Sequence, residues 1–539
     1  MQVNINRNDP LDKDALSEGS VYNEVLTSII NDNINTEYGK KYNFEKIKNI
    51  DDYKKNVPLI HFEDVSDEID RMYEGEENVL TAHKVKHFLM TSGTTGKRKY
   101  IPVTYKAFSQ YNNITDRIND DVVGLSGGKR LLIPIYISDI DDKPEKETFI
   151  TTAYARNIYE MGFLDLDDYV GGKTMYFNSG QTKDYIYAKL YAALACEDII
   201  SIESTFLYDQ LLFFSYLEKN YKKILGEMEE GRIDENICVA DDIKEVLRNT
   251  GISKDRIAYI RKVCDEGFEG IGKRLWPRLH VCLGISAADF RVEEQSLRRY
   301  LGEDIPLYFY SYACSECNIG VPMETESYEY VLLPRCGFFE FRPLENTASD
   351  QDMTFTADQL EIGKSYELVI TNWSGLYRYC TNDIVKVTDY YGCLPVIVFR
   401  YRRNQMISIG GEKSTTSMLQ KVVSKLEEEL SGSFSQFCFA ADYERLPGNY
   451  LCFIEDSTEK KYDKADAASR MDRIMASLNP DYDDLRFNLK QIGAPEVCFL
   501  KPGSMVELLK KKDKLKGQIK PMQIVEGQDV AFLKKLEEK

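Results

Sequence analysis

The chain has 539 residues, 43% of them apolar, a formal net charge of −19 and an isoelectric point near 5.0. That length exceeds what one hydrophobic core usually organises, so at least two domains are expected, and the apolar fraction excludes a disordered chain. A diffuse negative field opposes unspecific attraction to nucleic acid or anionic membrane, so any phosphate-bearing ligand needs a local site.

The first residues, MQVNINRNDPLDKD, lack a basic-then-apolar leader pattern, and no apolar run reaches the ~18 residues of a membrane span. A cytoplasmic protein without a membrane partner is therefore expected. Up to about residue 130, helical segments alternate with short apolar runs, as in an α/β domain. His83 and His87 lie four apart, a metal-ligand spacing on a helix, but HKVKHFLM reads as the approach to a strand, so both are expected to be structural. The strand-like FLM leads into TSGTTGKRK, residues 91–99. Glycine adds no side-chain bulk, so such a loop brings backbone N–H groups and hydroxyls close to a polyphosphate while a lysine neutralises charge. It is not a Walker loop, because the G-x-x-x-x-G-K spacing needs glycine where Thr91 stands.

Residues 197–230 are periodic enough to predict one long helix ending at a glycine, and further helical segments with the short run LHVCLGIS occupy 240–305. The pattern then turns to strands: YEYVLLP, GFFEFRP, SYELVITNW, DIVKVTDYY and LPVIVFRYR follow one another, separated by Gly, Pro, Asn or Asp. This predicts an antiparallel meander closing a large domain. Beyond about residue 410, Ser414 is expected to cap a helix whose Leu419, Val422, Val423, Leu426 and Leu430 share a face, with Gly432 just past its end. Strands FSQFCFAADY and NYLCFIED, a helix near 465–478 and a strand EVCFLKPG complete a small unit. The fold class is thus α/β: a large multi-sheet N-terminal domain, 1–402, with an antiparallel meander, then a small α+β domain, 403–539.

The twelve cysteines run from Cys196 to Cys498 in a large chain, which points to reduced, mostly buried thiols. Cys314 and Cys317 have C-x-x-C spacing but no second pair at zinc-ribbon distance, so metal or redox use is disfavoured.

Five segments in order carry a resemblance. TSGTTGKRK resembles the phosphate loop of the acyl-adenylate-forming superfamily, [ST]-[ST]-G-T-[ST]-G-x-P-K, with Lys99 in the lysine place and Arg98 where proline is common. YACSE (Tyr312 to Glu316) resembles Y-G-x-[ST]-E, YCTND (Tyr379 to Asp383) resembles Y-R-x-G-D, RRNQMISIGGEK (Arg402 to Lys413) resembles the hinge motif, and GQIKP (Gly517 to Pro521) resembles the segment with the catalytic lysine. Within that superfamily the chain is similar to the auxin-responsive Gretchen Hagen family of acyl-acid amido synthetases, through GLYRY before the aspartate, FFEF, LEKNYKKILGEMEEG, and LKPGSMVELL leading to GQIKP.

The resemblance implies ATP-dependent joining of a small carboxylic acid to an amino acid through an acyl-adenylate, with a mobile C-terminal domain and a monomeric chain. It implies phosphate contacts from Ser92, Gly93, Thr94, Thr95 and Gly96 with Lys97 or Lys99, an adenine-stacking Tyr312, an α-phosphate contact from Ser315 and a Mg²⁺ ligand in Glu316. Asp383 would accept from the ribose hydroxyls, Arg402 would reach ribose or phosphate, and Asn404 would be the hinge. Lys520 is expected to be the catalytic lysine that bridges carboxylate and phosphate. Cys380 and Asn382 depart from the usual arginine and glycine. A coenzyme A ligase of the same superfamily, or a nucleotide-binding regulator without catalysis, remains the alternative. None of the apolar runs LLIPIY, GISAADF and LYFYSY identifies the acid.

Overall fold

The computed structural model describes residues 10–537 apart from 92–98, 108, 110–121, 125–126, 134–148, 152–165, 173, 178–183, 286–290, 345–351, 403–405, 408, 410–411, 413, 443–444, 446, 457–459, 489–491, 512–522 and 526. The chain divides into two compact units, Met1–Phe399 and Arg400–Lys539.

Among the described residues the first unit contains three sheets. Lys129–Leu132, Ile199–Phe206, Val281–Ile285 and Leu307–Tyr308 form a parallel four-stranded sheet in that order. Parallel pairing needs crossover connections, and helices supply them: Tyr185–Ala195 before the second strand and Leu207–Glu230, Asp241–Asn249 and Lys254–Asp265 after it. One apolar core, with Trp276, Phe213 and Phe214 fully buried, joins these helices to the sheet. The single helix expected over 197–230 is a strand, Ile199–Phe206, followed directly by the helix Leu207–Glu230. A strand buried on both faces loses the alternation that marks a half-buried one, and Ile199, Ile200 and Ile202 are all buried.

The second sheet pairs Val85–Thr91 with Lys99–Thr104 antiparallel, register Thr91↔Lys99, and with Phe149–Thr151 in parallel. The third has seven strands. Phe338–Pro343, Ser365–Thr371, Tyr379–Tyr391 and Leu394–Arg402 run in chain order from one edge, and Tyr330–Leu332, Asn318–Pro322 and Tyr312–Ala313 continue to the other. The expected meander is therefore cut in two. Tyr330–Leu332 does not lie beside Phe338–Pro343 but pairs with the last strand, Tyr330↔Ile397 and Val331↔Val396. The N-terminal helices, led by Ser20–Asp32, share one core with this sheet.

In the second unit, Phe434–Asp442, Asn449–Asp456 and Glu496–Leu500 form a three-stranded sheet, antiparallel then parallel. Strand alternation serves two cores. Phe439, Tyr450, Cys452, Ile454, Val497 and Phe499 face the helices Thr416–Leu430 and Lys464–Leu478, while Cys438, Ala440, Leu451, Phe453, Cys498 and Leu500 face Ser504–Lys511. The helix cap lies one residue later than expected: Thr415 Oγ1 accepts from the Met418 N–H at 3.3 Å, and Ser414 is buried beneath the Tyr450 hydroxyl. At its other end Ser431, with φ 48°, holds the left-handed position and lets the Gly432 N–H reach the Glu427 carbonyl. Among the described residues no helix is long and apolar enough to cross a membrane.

Candidate active site

YACSEC folds as a hairpin. Tyr312–Ala313 and Asn318–Pro322 pair antiparallel, and Cys314 and Cys317 exchange both backbone hydrogen bonds, at 2.9 and 3.3 Å. Ser315 and Glu316 therefore sit alone at the tip of a two-residue turn, both half-buried. The two cysteines close that turn as thiols: Cys314 donates to the Cys317 carbonyl and Cys317 to the carbonyls of Asn318 and Cys336. Burial pushes the Cys317 thiol well above its ordinary range.

A second loop braces this turn. In TNWSGLYRY the Asn372 side-chain amide donates to the Glu316 carbonyl at 2.7 Å. Its oxygen accepts from the Ser374 and Leu376 N–H groups, at 2.9 and 3.2 Å. Gly375 makes the loop possible. Its φ is +100°, and a Cβ there would stand 2.6 Å from the Leu80 Cβ. Ser374 in turn receives the Thr104 N–H at 3.1 Å, at the far end of the strand that begins with Lys99. Arg378, next along, is a fully buried anchor. Its guanidinium meets Glu340 at 3.1 Å and donates to Thr354 Oγ1 and to the carbonyls of Lys54 and Val57. Two carbonyls and a carboxylate satisfy a charge that burial would otherwise forbid.

Asp383 lies where the strand Tyr379–Tyr391 bulges. Val369 faces Cys380 and Glu367 faces Ile384, so three residues, Thr381 to Asp383, oppose Leu368 alone. Asn382 takes φ 63° within the bulge, the conformation that glycine or asparagine adopts at least strain. Thr381 Oγ1 donates to the Leu368 carbonyl and accepts the Asp383 N–H. Asp383 is 2% exposed and accepts the Tyr312 hydroxyl at 2.9 Å. Tyr312 is itself buried, its ring 5.8 Å from Tyr330 and 5.7 Å from Phe399. The structure thus joins two residues 71 apart in sequence through one hydrogen bond. Cys380, in the usual arginine place, is buried with its thiol pushed up to about 12 by desolvation.

Other candidates fall differently. Ser92, Gly93, Thr94, Thr95, Gly96, Lys97, Asn404 and Lys520 lie outside the described residues. Lys99 begins the strand paired with Thr91, and Arg402 ends Leu394–Arg402; for both only the backbone is described. Arg402 falls in the second compact unit, which begins at Arg400. Both histidines behave structurally. His83 meets Asp32 at 3.1 Å, and His87 is buried, its pKa pushed down to about 3 by desolvation. Sequence reasoning missed Asn372 and Arg378. The turn signal Asn-x-Ser-Gly was present for the first, but its partner at 316 is visible only in three dimensions.

Comparison with known proteins settles the family. The GH3 family N-terminal domain matches residues 11–307, the GH3 central domain 330–402 and the GH3 C-terminal domain 417–529. The chain belongs to the GH3 family. Members of that family similar to it include the indole-3-acetic acid-amido synthetase GH3.4 of Arabidopsis thaliana, 27% identical over 91% of this chain and 86% of the relative. The 4-substituted benzoates-glutamate ligase GH3.12 of the same plant is 25% identical over 91% and 89%. Jasmonoyl-L-amino acid synthetase GH3.5 of Oryza sativa subsp. japonica is 26% identical over 94% and 91%. In fold, the GH3.15 acyl acid amido synthetase superposes with a TM-score of 0.85 at 23% identity, covering 98% of this chain and 95% of that one. A 2-hydroxyisobutyryl-CoA ligase in the postadenylation state shares the wider fold, at 0.54 and 11%, over 97% and 92%. As a GH3 protein the chain is an enzyme, a ligase of the amido synthetase kind.

Proposed function

We propose that this GH3 protein uses ATP to activate a small carboxylic acid as its acyl-adenylate and transfers the acyl group to the amine of an amino acid. A carboxylate oxygen attacks the α-phosphorus and pyrophosphate leaves. The amine then attacks the acyl carbon, its C–N bond forms, AMP leaves with the former carboxylate oxygen, and the ammonium proton passes to solvent. The first step brings two anions together, so donors and cations must be in place before charge develops.

In this reading Ser92, Gly93, Thr94, Thr95, Gly96 and Lys99 hold the phosphates, and Ser315 meets the α-phosphate. Asp383 orients the ribose, supported by Tyr312, while Arg402 reaches ribose or phosphate. Glu316 would hold Mg²⁺, which neutralises phosphate charge when bound. A half-buried carboxylate on a braced turn suits a hard cation that keeps most of its waters and takes one or two carboxylates. Lys520 bridges carboxylate and phosphate in the first step, and Asn404 is the hinge. The large domain, 1–402, binds nucleotide and acid, and the small one, 403–539, carries the lysine. A monomer in the cytoplasm, binding neither nucleic acid nor membrane, completes the proposal.

One observation carries it: the GH3 match runs through both units, and the hairpin bearing Glu316 meets the bulge bearing Asp383 in one sheet. Two alternatives are weaker. The coenzyme A ligase shares only the fold, at 11% identity. The regulator rested on Cys380 and Asn382, yet Asn382 takes the left-handed conformation that its place demands. Acid-dependent exchange of pyrophosphate into ATP across aryl, indolyl, aliphatic and fatty acids, then product mass with amino acids or coenzyme A, tests the reading. Amides are expected; thioesters alone, or no exchange with any acid, would overturn it.

A further inference from the structure

We infer that Asn372 is a positioning residue for adenylate formation, holding the Glu316 turn where its carboxylate meets the metal–nucleotide. The inference rests on the proposed role of Glu316. The turn carries two residues between one pair of backbone hydrogen bonds, and such a tip pivots unless something outside the hairpin holds it. Asn372 supplies that hold. It is 1% exposed, and its amide donates at 2.7 Å to the carbonyl of Glu316 itself, the residue whose side chain has to be aimed.

The amide cannot rotate away. Its oxygen is fixed by the N–H groups of Ser374 and Leu376, so only the nitrogen faces Glu316, and the peptide C=O of Leu376 receives the Asn372 N–H at 2.9 Å. The same loop reaches the other phosphate-directed strand. Ser374 Oγ accepts the Thr104 N–H, and the two hydroxyls approach to 3.3 Å. Asn372 therefore sets the Glu316 turn relative to the strand that begins at Lys99, rather than merely closing its own loop.

Asn372→Asp separates the two duties. An aspartate still accepts from Ser374 and Leu376, so the loop closes, but it puts an oxygen against the Glu316 carbonyl where a donor stood. Asn372→Asp and Glu316→Gln are compared with the unaltered protein by titrating Mn²⁺ in the presence of α,β-methylene-ATP, with the free-ion electron paramagnetic resonance signal as readout. Adenylate formation and conversion of supplied acyl-adenylate to amide are measured in parallel. Groups that orient a metal ligand typically contribute about 10- to 100-fold in metal affinity. Asn372→Asp is expected to weaken Mn²⁺ binding and slow adenylate formation by about that factor, with an unchanged thermal transition and a near-normal second step. If Glu316→Gln weakens Mn²⁺ binding and Asn372→Asp does not, the positioning role is overturned while the role of Glu316 stands. If Glu316→Gln leaves Mn²⁺ binding unchanged, the metal reading fails and the inference falls with it. Equal loss of both half-reactions in Asn372→Asp would make the residue structural only.

Discussion

Asp383 follows a residue with φ 63° and precedes a strand of buried valines and isoleucine, so its carboxylate is aimed by backbone before any ligand arrives. Asp383→Ala should weaken ATP binding by about 10- to 1000-fold, as two charge-assisted hydrogen bonds of roughly 1.5–3 kcal/mol are lost with incomplete additivity. Equilibrium dialysis of ATP checks this, and unchanged affinity removes Asp383 from the site. The bulge gives a companion test. Asn382→Gly should keep ATP affinity, because glycine reaches positive φ freely, whereas Asn382→Val should lower both affinity and stability, a β-branched residue being strained there by about 1–2 kcal/mol. At this scale the sequence was partly legible. The five motifs named Glu316 and Asp383, and asparagine's tolerance of left-handed backbone allowed Asn382 to stand for glycine. Neither the hydroxyl of Tyr312 on Asp383 nor the amide of Asn372 on Glu316 was legible, because each joins residues more than fifty positions apart.

Elements were legible where their periodicity is simple. The helices Thr416–Leu430 and Lys464–Leu478 and the strands Phe434–Asp442 and Asn449–Asp456 fall within a residue or two of expectation, the helices because each has one apolar face and the strands because turn residues bound each short apolar run. The central strand Ile199–Phe206 was lost inside a helix because burial on both faces erases period two, and the place of Tyr330–Leu332 depends on a partner near residue 397. Arg378 and Glu340 pin the loop that carries Asn372 to the sheet, both about 1% exposed, so Glu340→Gln leaves a buried guanidinium under-compensated and should cost about 3–5 kcal/mol in denaturant unfolding. A loss below about 1 kcal/mol would mean the pair is replaceable by water. In the strand Val85–Thr91, His87 is held neutral by burial, its pKa down to about 3. Unfolded histidine titrates near 6.5, so between about pH 6.5 and 3 the unfolded chain binds a proton that the native chain refuses, and stability falls as pH falls. His87→Gln should remove about 2 kcal/mol of the stability lost between pH 7 and 5. Parallel acid limbs for the two proteins would contradict a buried neutral His87.

For the whole molecule, the sequence places a boundary after residue 402 from a change of pattern past the last sheet strand, and the chain forms two compact units, Met1–Phe399 and Arg400–Lys539, each closing its own cores. The proposed two-step reaction requires that residues from both domains act at different times. Lys520→Ala should slow adenylate formation by about 10²–10⁴, roughly 3–5 kcal/mol, and leave conversion of supplied acyl-adenylate near normal. Asn404→Pro, which fixes φ near −65° at the proposed hinge, should spare the first step and slow the second. If each variant loses both steps in equal proportion with an unchanged thermal transition, the two-conformation scheme is wrong.

In the proposed reaction the acid's own oxygen attacks the α-phosphorus. An acid that supports exchange, labelled with ¹⁸O in both carboxylate positions, should in a complete turnover with ATP and an amino acid give AMP carrying one ¹⁸O in its phosphate and an amide retaining the other. Label appearing in inorganic phosphate with ADP as the nucleotide product, or AMP free of label, would contradict an acyl-adenylate.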